Sequence, residues 1–387
     1  MLAYTIYEFD SRVKRYAETL AKRGDHVDVI ALKQNGQADY AKINNVNLYR
    51  IQKRVINERS KLSYLFKIVF FLINSLIFLS IRHLRNQYNL IHVHSVPDFE
   101  VFAAIIPKIT GSKIILDIHD IVPEFYASKF NAKKDSIIYK SLILLEKISI
   151  NFSDHVIISN DIWEKKLLSR SVNKVKCSTM LNYPDPFIFY FHQRKRDNNK
   201  FIFIYPGTLS WHQGVDVAVQ AMAIIKDQAP QVEFHIYGEG PEKKVLQKLV
   251  SDLGLNDTVF FKGLLPSEEM ANMMTESDIG VVPKRAISFG NEAFSTKILE
   301  FMALGIPVLV SNTKIDQYYF DESLVKFFES DSEKDLAKNI LLLIKDKELR
   351  EQLITNSLKY IEENNWGVKK NLYIELVDSL TEKHKKS

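Results

Sequence analysis

Apolar and polar positions along this chain follow two alternating periods. Apolar residues recur every three or four positions between Arg12 and Arg23, which predicts an amphipathic helix that ends at Gly24. A short run rich in β-branched residues, His26–Ile30, then predicts a strand. Because such units repeat, we expect an α/β fold with mostly parallel sheets and helices on both faces. Further strands are predicted at Leu90–His94, Lys113–Leu116, His155–Ser159, Phe201–Tyr205, Glu233–Tyr237, Val259–Lys262, Ile279–Pro283 and Pro307–Ser311, and helices near Phe99–Ile109, Ser136–Asn151, Val215–Ile225 and Lys243–Leu253.

A polar, charged stretch from His192 to Lys200 interrupts this alternation, which starts again at Phe201. With 387 residues, the chain is long enough for two domains that each bury a core. We expect two doubly wound Rossmann-like domains, residues 1–197 and 198–366, facing a central cleft. The last helix, residues 367–387, is expected to cross back to the first domain. Ligands of such sheets bind beyond the carboxyl ends of the strands, so the chemistry is expected in the strand-to-helix loops.

The most apolar stretch, Ile68–Ile81, has two interpretations. Its 14 residues are fewer than the roughly 18–20 that span a bilayer. One interpretation is a helix buried in the first domain. The other is a segment that lies on an anionic membrane surface without crossing it, because basic residues flank the apolar run on both sides. These cations are Arg54, Arg59, Lys61, Lys67, Arg82 and Arg85.

The charge is distributed unevenly along the chain. Residues 1–200 contain 31 Lys and Arg against 19 Asp and Glu, a net charge of +12, whereas the remainder has a net charge of −7. This asymmetry predicts different partners for the two halves. The single cysteine, Cys177, excludes an intramolecular disulfide and a cysteine-built zinc site, and it fits a cytoplasmic protein. The basic clusters lack interleaved aromatic residues, so no nucleic-acid partner is expected.

The segment from Gly290 to Glu300 has the strongest chemical signature. It follows the predicted strand Ile279–Pro283 and leads into a helix, whose first N–H groups and dipole form an anion site. The carboxylates of Glu292 and Glu300 suit two sets of hydroxyls on one elongated ligand, with phosphates between them. This E-x7-E pattern is weak by itself, because glutamates are common near helix starts.

Other motifs, in the same order along the chain, resemble the family 4 glycosyltransferases of the GT-B fold. The sequence EFMALGIPV that begins at Glu300 is similar to the family's E-x-M-A-x-G-x-P-V stretch. The segments YGEGP, with Gly238, and FKG, with Gly263, are similar to its nucleotide-side loops. In the first domain, HDIVPE from His119 is similar to H-D-x-x-P-E, and RVKR from Arg12 is similar to the first helix. The resemblance covers nearly the whole chain.

The resemblance implies a retaining hexosyltransferase-type enzyme. It would transfer a sugar from a UDP- or GDP-sugar to a saccharide acceptor, lipid-linked, in bacterial cell-surface polysaccharide biosynthesis. Neither a metal nor another cofactor is implied. Glu292 and His119 would be catalytic, and Glu300 would hold the nucleotide ribose. The other residues implied are Asn291, Ala293 and Phe294 at the distal phosphate, Gly207, Gly238 and Gly263 on the donor side, and Asp120 and Arg12 on the acceptor side.

One departure from the family's pattern concerns the cations that hold the diphosphate. The family usually has an Arg after the first donor-domain glycine and a Lys before the next, but Thr208 and Gln213 occupy these positions here. The missing charge is predicted to come from Arg285 or Lys297 rather than from His212, which is only partly charged at neutral pH. Alternatively, Lys297 merely pairs with Glu300 three residues later.

Three alternatives accompany this interpretation. A metal site could begin at His92 and His94, which share one face of a strand, but no cysteine or acidic cluster nearby completes it. A nucleotide-sugar epimerase could use the same two-domain architecture. A non-catalytic partner subunit would account for the missing Arg and Lys. A dinucleotide oxidoreductase is disfavoured, because the first strand-to-helix loop, Glu8–Ser11, lacks G-x-G-x-x-G.

Overall fold

The computed structural model describes residues 1–54, 61–130, 133, 135–192 and 200–381. It divides the chain into two compact units. The first contains Met1–Asn182 and the chain from Lys370 on, and the second contains Tyr183–Lys369. Each unit is built on its own sheet of mostly parallel strands, so the predicted α/β fold class is confirmed.

An eight-stranded sheet forms the centre of the first unit. Its strand order is β3-β4-β2-β1-β5-β6-β7-β8, and neighbouring strands are parallel except for the antiparallel pair of β3 and β4. The chain runs from β1 to β2 in one direction and later returns to β5 on the other side of β1. The strands are β1 (Leu2–Ile6), β2 (Asp28–Lys33), β3 (Tyr40–Ile43), β4 (Val46–Lys53), β5 (Leu90–His94), β6 (Lys113–Ile118), β7 (His155–Ile158) and β8 (Cys177–Thr179).

Local capping defines the ends of the first helix. The carboxylate of Asp10 accepts a hydrogen bond from the N–H of Val13, and Gly24 ends the helix with a left-handed φ of 106°. Aliphatic and tyrosine side chains on its inner face are buried against the sheet. The helices of this unit are α1 (Ser11–Arg23), α2 (Lys61–Arg85), α3 (Ile105–Ile109), α4 (Val122–Phe130), α5 (Ile137–Phe152), α6 (Asp161–Leu168) and the larger part of α14 (Trp366–Thr381).

Two elements differ from the sequence predictions. The helix predicted at Phe99–Ile109 is a 3-10 helix, Asp98–Ala104, followed by the short α3, because Pro107 lacks the N–H that a continuous α-helix requires there. The apolar stretch Ile68–Ile81 is part of the longer α2, whose 23 residues from Ser63 to Arg85 are long and apolar enough to cross a membrane. The prediction that the segment is too short to span a bilayer was therefore wrong.

The second unit contains a six-stranded, fully parallel sheet of order β11-β10-β9-β12-β13-β14. Its inner helices and strands bury two aliphatic and aromatic clusters. The strands are β9 (Phe201–Pro206), β10 (Val232–Tyr237), β11 (Val259–Phe261), β12 (Ile279–Val282), β13 (Val308–Ser311) and β14 (Lys326–Phe328). The helices are α7 (Val215–Ile225), α8 (Lys243–Asp252), α9 (Ser267–Thr275), α10 (Thr296–Ala303), α11 (Lys314–Tyr319), α12 (Glu333–Lys345) and α13 (Lys347–Glu363).

The units meet along the sequence at Asn182 and Tyr183, about 15 residues before the boundary expected at 197/198. Tyr183 and Phe189 pack against a core cluster of the second unit, and the carbonyl oxygen of Pro184 accepts a hydrogen bond from the N–H of Trp366. Hydrophobic packing thus assigns this segment to the second unit. Residues 193–199 of the predicted linker, which include the basic cluster Arg194–Arg196, lie outside the described residues. So do Arg59, Lys134 of the basic pair Lys133–Lys134, and residues 382–387.

Each sheet has one point where the strand order reverses. In the first unit β1 and β5 are neighbours, and in the second unit β9 and β12 are neighbours, although neither pair is consecutive along the chain. At such a point the connecting helices pass to opposite faces of the sheet and leave a crevice beyond the carboxyl ends of the strands. The residues with the strongest chemical signatures lie at these two edges.

Candidate functional site

The first strand-to-helix loop of the second unit packs closely on its neighbour. Gly207 follows β9 and its N–H donates to the carbonyl oxygen of Tyr237, at 2.7 Å. A Cβ atom on Gly238 would lie 1.8 Å from the carbonyl oxygen of Gly207, so a side chain there would push the two backbones apart. Gly263 follows β11 at the same edge of the sheet. Gly207 and Gly238 therefore hold two backbone loops close together at the carboxyl edge, whereas a Cβ atom on Gly263 would meet nothing within 4 Å.

Lys297, in the first turn of α10, extends its side chain to this glycine loop. A Cβ atom on Gly207 would lie 2.3 Å from Cε of Lys297, and the Lys297 ammonium lies 5.3 Å from the ring centre of Tyr205. Its Nζ atom is 3.4 Å from Oε1 of Gln213, the residue that occupies the family's usual lysine position. Burial lowers the pKa of Lys297 to about 8, so the amine is mostly charged at neutral pH.

Arg285, the other predicted source of charge, is already neutralised. One guanidinium nitrogen donates to Oδ2 of Asp216 at 2.6 Å, and another donates to Asp331. The guanidinium also lies 4.7 Å from the centre of the Trp211 ring, and only 8% of the residue is exposed. His212 is no substitute, since burial and the nearby Lys297 and Lys284 lower its pKa. Arg285 thus lies against Trp211 with its guanidinium bound by two aspartates, whereas the side chain of Lys297 lies beside Gly207.

The two glutamates of the E-x7-E pattern lie where the sequence places them. Glu292 is in the loop between the 3-10 helix Ser288–Asn291 and α10, and Glu300 is in the second turn of α10. Both are partly buried. Glu300 lies near Lys297, and its negative charge favours the protonated form of that lysine. The loop and the helix start thus combine two carboxylates with one cation.

Asn291, Ala293 and Phe294 have structural contacts of their own. The side chain of Asn291 donates to the carbonyl oxygen of Ala286 at 2.6 Å and accepts from the N–H of Lys314 at 3.0 Å. The N–H groups of Glu292 and Ala293 both donate to the carbonyl oxygen of Phe289, so they differ from the expectation that they point at a phosphate. The Phe294 ring packs edge-on against Tyr319 at 5.0 Å. The peptide groups nearer the start of α10 are better placed for an anion.

Lys284 connects this loop to the next helix. Its Nζ atom donates to the carbonyl oxygen of Ala293 at 2.7 Å and lies 3.0 Å from Oδ2 of Asp316, at the start of α11. The Lys284 side chain is only 4% exposed. Because it joins the loop backbone to a buried carboxylate, Lys284 stabilises the segment that carries Glu292. No local pattern in the sequence indicates this role, because the partners of Lys284 lie 9 and 32 residues away.

A buried carboxylate, Asp117, organises the corresponding edge of the first unit. It lies near the end of β6 and is fully buried. His119 Nε2 lies 3.0 Å from Oδ2 of Asp117, and His94 Nδ1 lies 3.1 Å from the same oxygen. Burial alone would raise the pKa of Asp117, but Arg12 and His119 hold it well below its ordinary value. His119 is thus fixed beside a permanent negative charge, with 22% of its side chain exposed.

Arg12 is the principal partner of this carboxylate. Its Nε and a terminal nitrogen donate to the two oxygens of Asp117 at 2.8 and 2.7 Å, and its other terminal nitrogen donates to the carbonyl oxygen of Met180 at 2.9 Å. Arg12 is buried, which differs from the acceptor-side role that the resemblance implies. A bidentate pair of this kind positions groups through charge and geometry together. Arg12 therefore orients Asp117, and Asp117 orients His119.

The other residues of the HDIVPE motif divide into two groups. Asp120 is partly buried, and burial raises the pKa of its carboxyl group. Glu124 is almost fully buried and accepts hydrogen bonds from Tyr139, at 3.0 Å, and from two nitrogens of Arg170, at 2.6 and 2.9 Å. Glu124 is thus a structural residue that joins α4 to α5 and to the chain after α6, whereas Asp120 stays a candidate for ligand contact.

His92 and His94 lie closer to an acid than the sequence analysis expected. Donor atoms of His92, His94 and Asp117 lie within 4.8 Å of one another, which corrects the argument that no acid completes the pair. Among the described residues, the Nε2 atoms of both histidines are buried without a hydrogen-bond partner. The Arg12 guanidinium nevertheless occupies both oxygens of Asp117, and a divalent cation there would lie against a positive charge. Burial lowers the pKa of both histidines, so the cluster is a hydrogen-bonded network around one anion.

Comparisons with family models match both units. The first matches "Glycosyltransferase Family 4" over residues 11–182, and the second matches "Glycosyl transferases group 1" over residues 187–360. Over 151 residues the chain is 27% identical to the amylovoran biosynthesis glycosyltransferase AmsK of Erwinia amylovora. This alignment covers 39% of this chain and 37% of AmsK. The chain therefore aligns with little more than a third of the first curated relatives. An uncharacterised glycosyltransferase of Methanocaldococcus jannaschii is 24% identical over 80% of each chain.

Solved structures resemble the chain over almost its whole length. Sucrose-phosphate synthase from Thermosynechococcus elongatus superposes with a TM-score of 0.78 at 21% identity, covering 98% of this chain and 99% of the other. Anabaena HepE, in a complex with UDP-glucose, superposes with a TM-score of 0.72 at 14% identity, covering 98% of each chain. WaaG, a glycosyltransferase of lipopolysaccharide biosynthesis, has a TM-score of 0.69 at 14% identity, covering 94% of this chain and 95% of the other. At these low sequence identities, the structural similarity establishes the fold alone.

Proposed function

We propose that this chain transfers a sugar from a nucleotide sugar to a saccharide acceptor with retention of configuration. The premise is that it belongs to the glycosyltransferases described by these two family models and has the GT-B fold. Relatives in amylovoran, colanic acid and O-antigen biosynthesis support a role in cell-surface polysaccharide biosynthesis. The acceptor is proposed to be lipid-linked, and the enzyme to act in the cytoplasm, at the inner face of the cytoplasmic membrane.

The observation that carries this proposal is the position of Lys297. The chain lacks the usual Arg and Lys of the glycine loop, yet Lys297 extends from α10 to Gly207 and Gln213, beside the missing positions. A nucleotide sugar brings a diphosphate whose charge increases as the sugar leaves. A lysine ammonium and the N-terminal peptide groups of α10 can stabilise that charge together. HepE, crystallised with UDP-glucose, supports a nucleotide sugar as the donor. We propose a UDP-sugar or a GDP-sugar.

The carboxylates have separate roles in the proposed reaction. Glu292 would accept hydrogen bonds from hydroxyls of the donor sugar, and Glu300 would accept them from the nucleotide ribose. In the first unit, the ionised Asp117 favours the tautomer of His119 that carries its proton on Nε2. Nδ1 of His119 is then the atom available to a sugar hydroxyl. Since Lys297 supplies the charge at the diphosphate, the proposed reaction requires no metal ion.

The test is donor binding followed by transfer. A thermal-shift series with nucleotide sugars is expected to raise the melting temperature for one donor, because a ligand that binds only the folded state stabilises it. Glu292→Ala is expected to retain the melting temperature of the unliganded protein and to lose about a thousandfold or more in transfer. Near-normal turnover in this variant would contradict the assignment.

The same measurements separate the two alternatives. An epimerase would convert the donor into a second nucleotide sugar without any acceptor, and product analysis detects that. A non-catalytic partner subunit would show no stabilisation by any nucleotide sugar. Lys297 weakens the argument for the partner subunit, because that argument depends on the absence of a cation at the glycine loop.

A further inference from the structure

The outward side of α2 is an unbroken apolar stripe. Its members follow one another at intervals of three or four residues, so they form one line along a helix of 25 residues. Their exposed fractions range from 48% to 75%. The stripe consists of Phe66, Phe70, Ile73, Ile77, Ile81 and Leu84. A stripe of this length on the surface requires a partner, because isolated domains rarely expose apolar patches of such an extent.

The opposite side of α2 belongs to the core of the first unit. Ile68, Phe71 and Leu79 are buried, and the helix packs against β1 and β4. His83 Nε2 lies 2.6 Å from Oγ1 of Thr110, and Arg82 donates to Asp28 at 2.9 Å. Only 22% of the most apolar window is buried, so the helix is not an ordinary core helix. To cross a membrane it would have to leave the sheet, so it must lie along a surface.

Two neighbouring segments continue the stripe. The 3-10 helix Asp98–Ala104 packs against both α2 and α5, and α3 packs against α2. The exposed apolar side chains on α3 and α5 are Ile105, Ile109, Ile137, Ile138, Leu144 and Ile148. We call the outward surface of α2, residues 98–109 and α5 the three-segment face.

The charges of the three-segment face have one sign. Every acidic residue in its described part is buried, namely Asp98, Glu100 and Glu146. Its basic residues are Lys67, Arg85, Lys140 and Lys147, together with Lys108, which is paired with Asp154 at 3.1 Å. A second copy of the chain would bring the same cations against themselves, which disfavours a symmetric dimer through this face. Apolar side chains surrounded by cations are instead complementary to a bilayer that contains anionic lipids.

We propose that the three-segment face lies on the surface of an anionic bilayer, with α2 parallel to the membrane plane and its stripe inserted among the lipids. This placement rests on the proposed function, because it would bring the enzyme to a lipid-linked acceptor, but vesicle binding itself does not depend on catalysis. Vesicle binding is measured without nucleotide or acceptor, so a failure here leaves sugar transfer intact. A failure of sugar transfer likewise leaves the binding result valid.

The first experiment is flotation of the full chain with vesicles of equal parts phosphatidylglycerol and phosphatidylcholine. Binding is expected at low salt, with a large loss at high salt and on pure phosphatidylcholine. The double variant Phe70→Ser/Ile77→Ser is expected to lose at least about tenfold in the partition coefficient. The control Ile224→Ser/Val245→Ser removes exposed apolar residues from helices of the second unit and is expected to bind normally. Absence of binding at low salt, or equal binding by the two double variants, would overturn the proposal.

The second experiment determines the orientation of α2. Cys177 is buried, so a thiol-reactive fluorophore can be placed at Phe66→Cys, Ile73→Cys or Ile81→Cys. Lipid quenchers at known depths are expected to report the same shallow depth at all three sites. A spanning helix would place residue 73 deepest, and that profile would overturn the parallel placement. A fluorescence change that depends on protein concentration without lipid, with dimers in light scattering, would identify a second copy as the occupant and also overturn it.

Discussion

The carboxyl edges of the two sheets have the same topology but opposite electrostatics. In the first unit, Asp117 is surrounded by Arg12, His94 and His119, so the charges neutralise one another within the protein. In the second unit, the ammonium of Lys297 lies 3.4 Å from the amide oxygen of Gln213 and close to Gly207, and the charge of nearby Glu300 favours its protonated form. The network in the first unit orients one side chain, whereas a cation beside a glycine loop is suited to bind a charged ligand. The strand order thus specifies where a site forms, and the side chains specify its chemistry.

The comparison is tested most severely at Asp117. Asp117→Ala leaves the buried guanidinium of Arg12 without its carboxylate, and the free energy of unfolding is expected to fall by about 3–5 kcal/mol. Asp331→Asn also removes a charged partner of an arginine, but Asp331 is 44% exposed and Arg285 keeps Asp216. Asparagine tolerates the left-handed backbone of this position, whose φ is 62°. The loss in this variant is expected to be about 1 kcal/mol or less. Urea unfolding followed by circular dichroism measures both values. Equal losses would show that the Asp117 network is no more closed than a surface ion pair.

Local patterns in the sequence predicted helices and strands such as α1 and β5, and the family resemblance indicated which strand-to-helix loops carry the chemistry. The strand Leu90–His94 was predicted with the bounds that β5 has, and the helix of residues 12–23 differs from α1 by one residue. The predicted α/β class and GT-B fold are confirmed. These features depend on residues that are neighbours in the sequence, where periodicity and capping act.

The contacts that define the sites depend on residues far apart in the sequence. Arg12 and Asp117 are separated by 105 positions, and Arg285 lies 69 positions from Asp216. Nothing in the local pattern indicates that Arg285 is bound by two aspartates while Lys297 lies beside Gly207. Asp117 had one recognisable signal, since a charged residue within the apolar strand I-I-L-D-I must be paired when it is buried.

The second prediction concerns the two cations of the second unit. Lys297→Ala is expected to weaken UDP or GDP binding by about tenfold to a hundredfold, the value of one charge-assisted contact. Arg285→Ala is expected to change affinity by less than about threefold, because its guanidinium is already bound by two aspartates. Titration calorimetry on both variants gives the comparison. A larger loss in Arg285→Ala would reverse the assignment of the diphosphate cation.

The third prediction follows from the pKa of Lys297, which burial lowers from 10.5 to about 8. The protonated amine binds the diphosphate, so nucleotide affinity is expected to be highest below pH 8. Above pH 8 it is expected to fall, by up to about tenfold per pH unit. The free energy of unfolding of the protein without ligand has the opposite pH dependence. Between pH 8 and 10.5 the unfolded lysine keeps its proton while the folded one loses it, so this group increases the free energy of unfolding as the pH rises.

Lys297→Arg separates this effect from other titrations. An arginine keeps its charge far above pH 10, so the decline in affinity between about pH 8 and 10 is expected to disappear in the variant if its guanidinium reaches Gly207. Calorimetry across this range measures the slope for both proteins. The control is Asp331→Asn, which leaves Lys297 unchanged and is expected to keep the wild-type slope. The same decline in all three proteins would assign the titration to another group. Lys297 would then not be the cation that distinguishes the edge of the second sheet from the Asp117 network of the first.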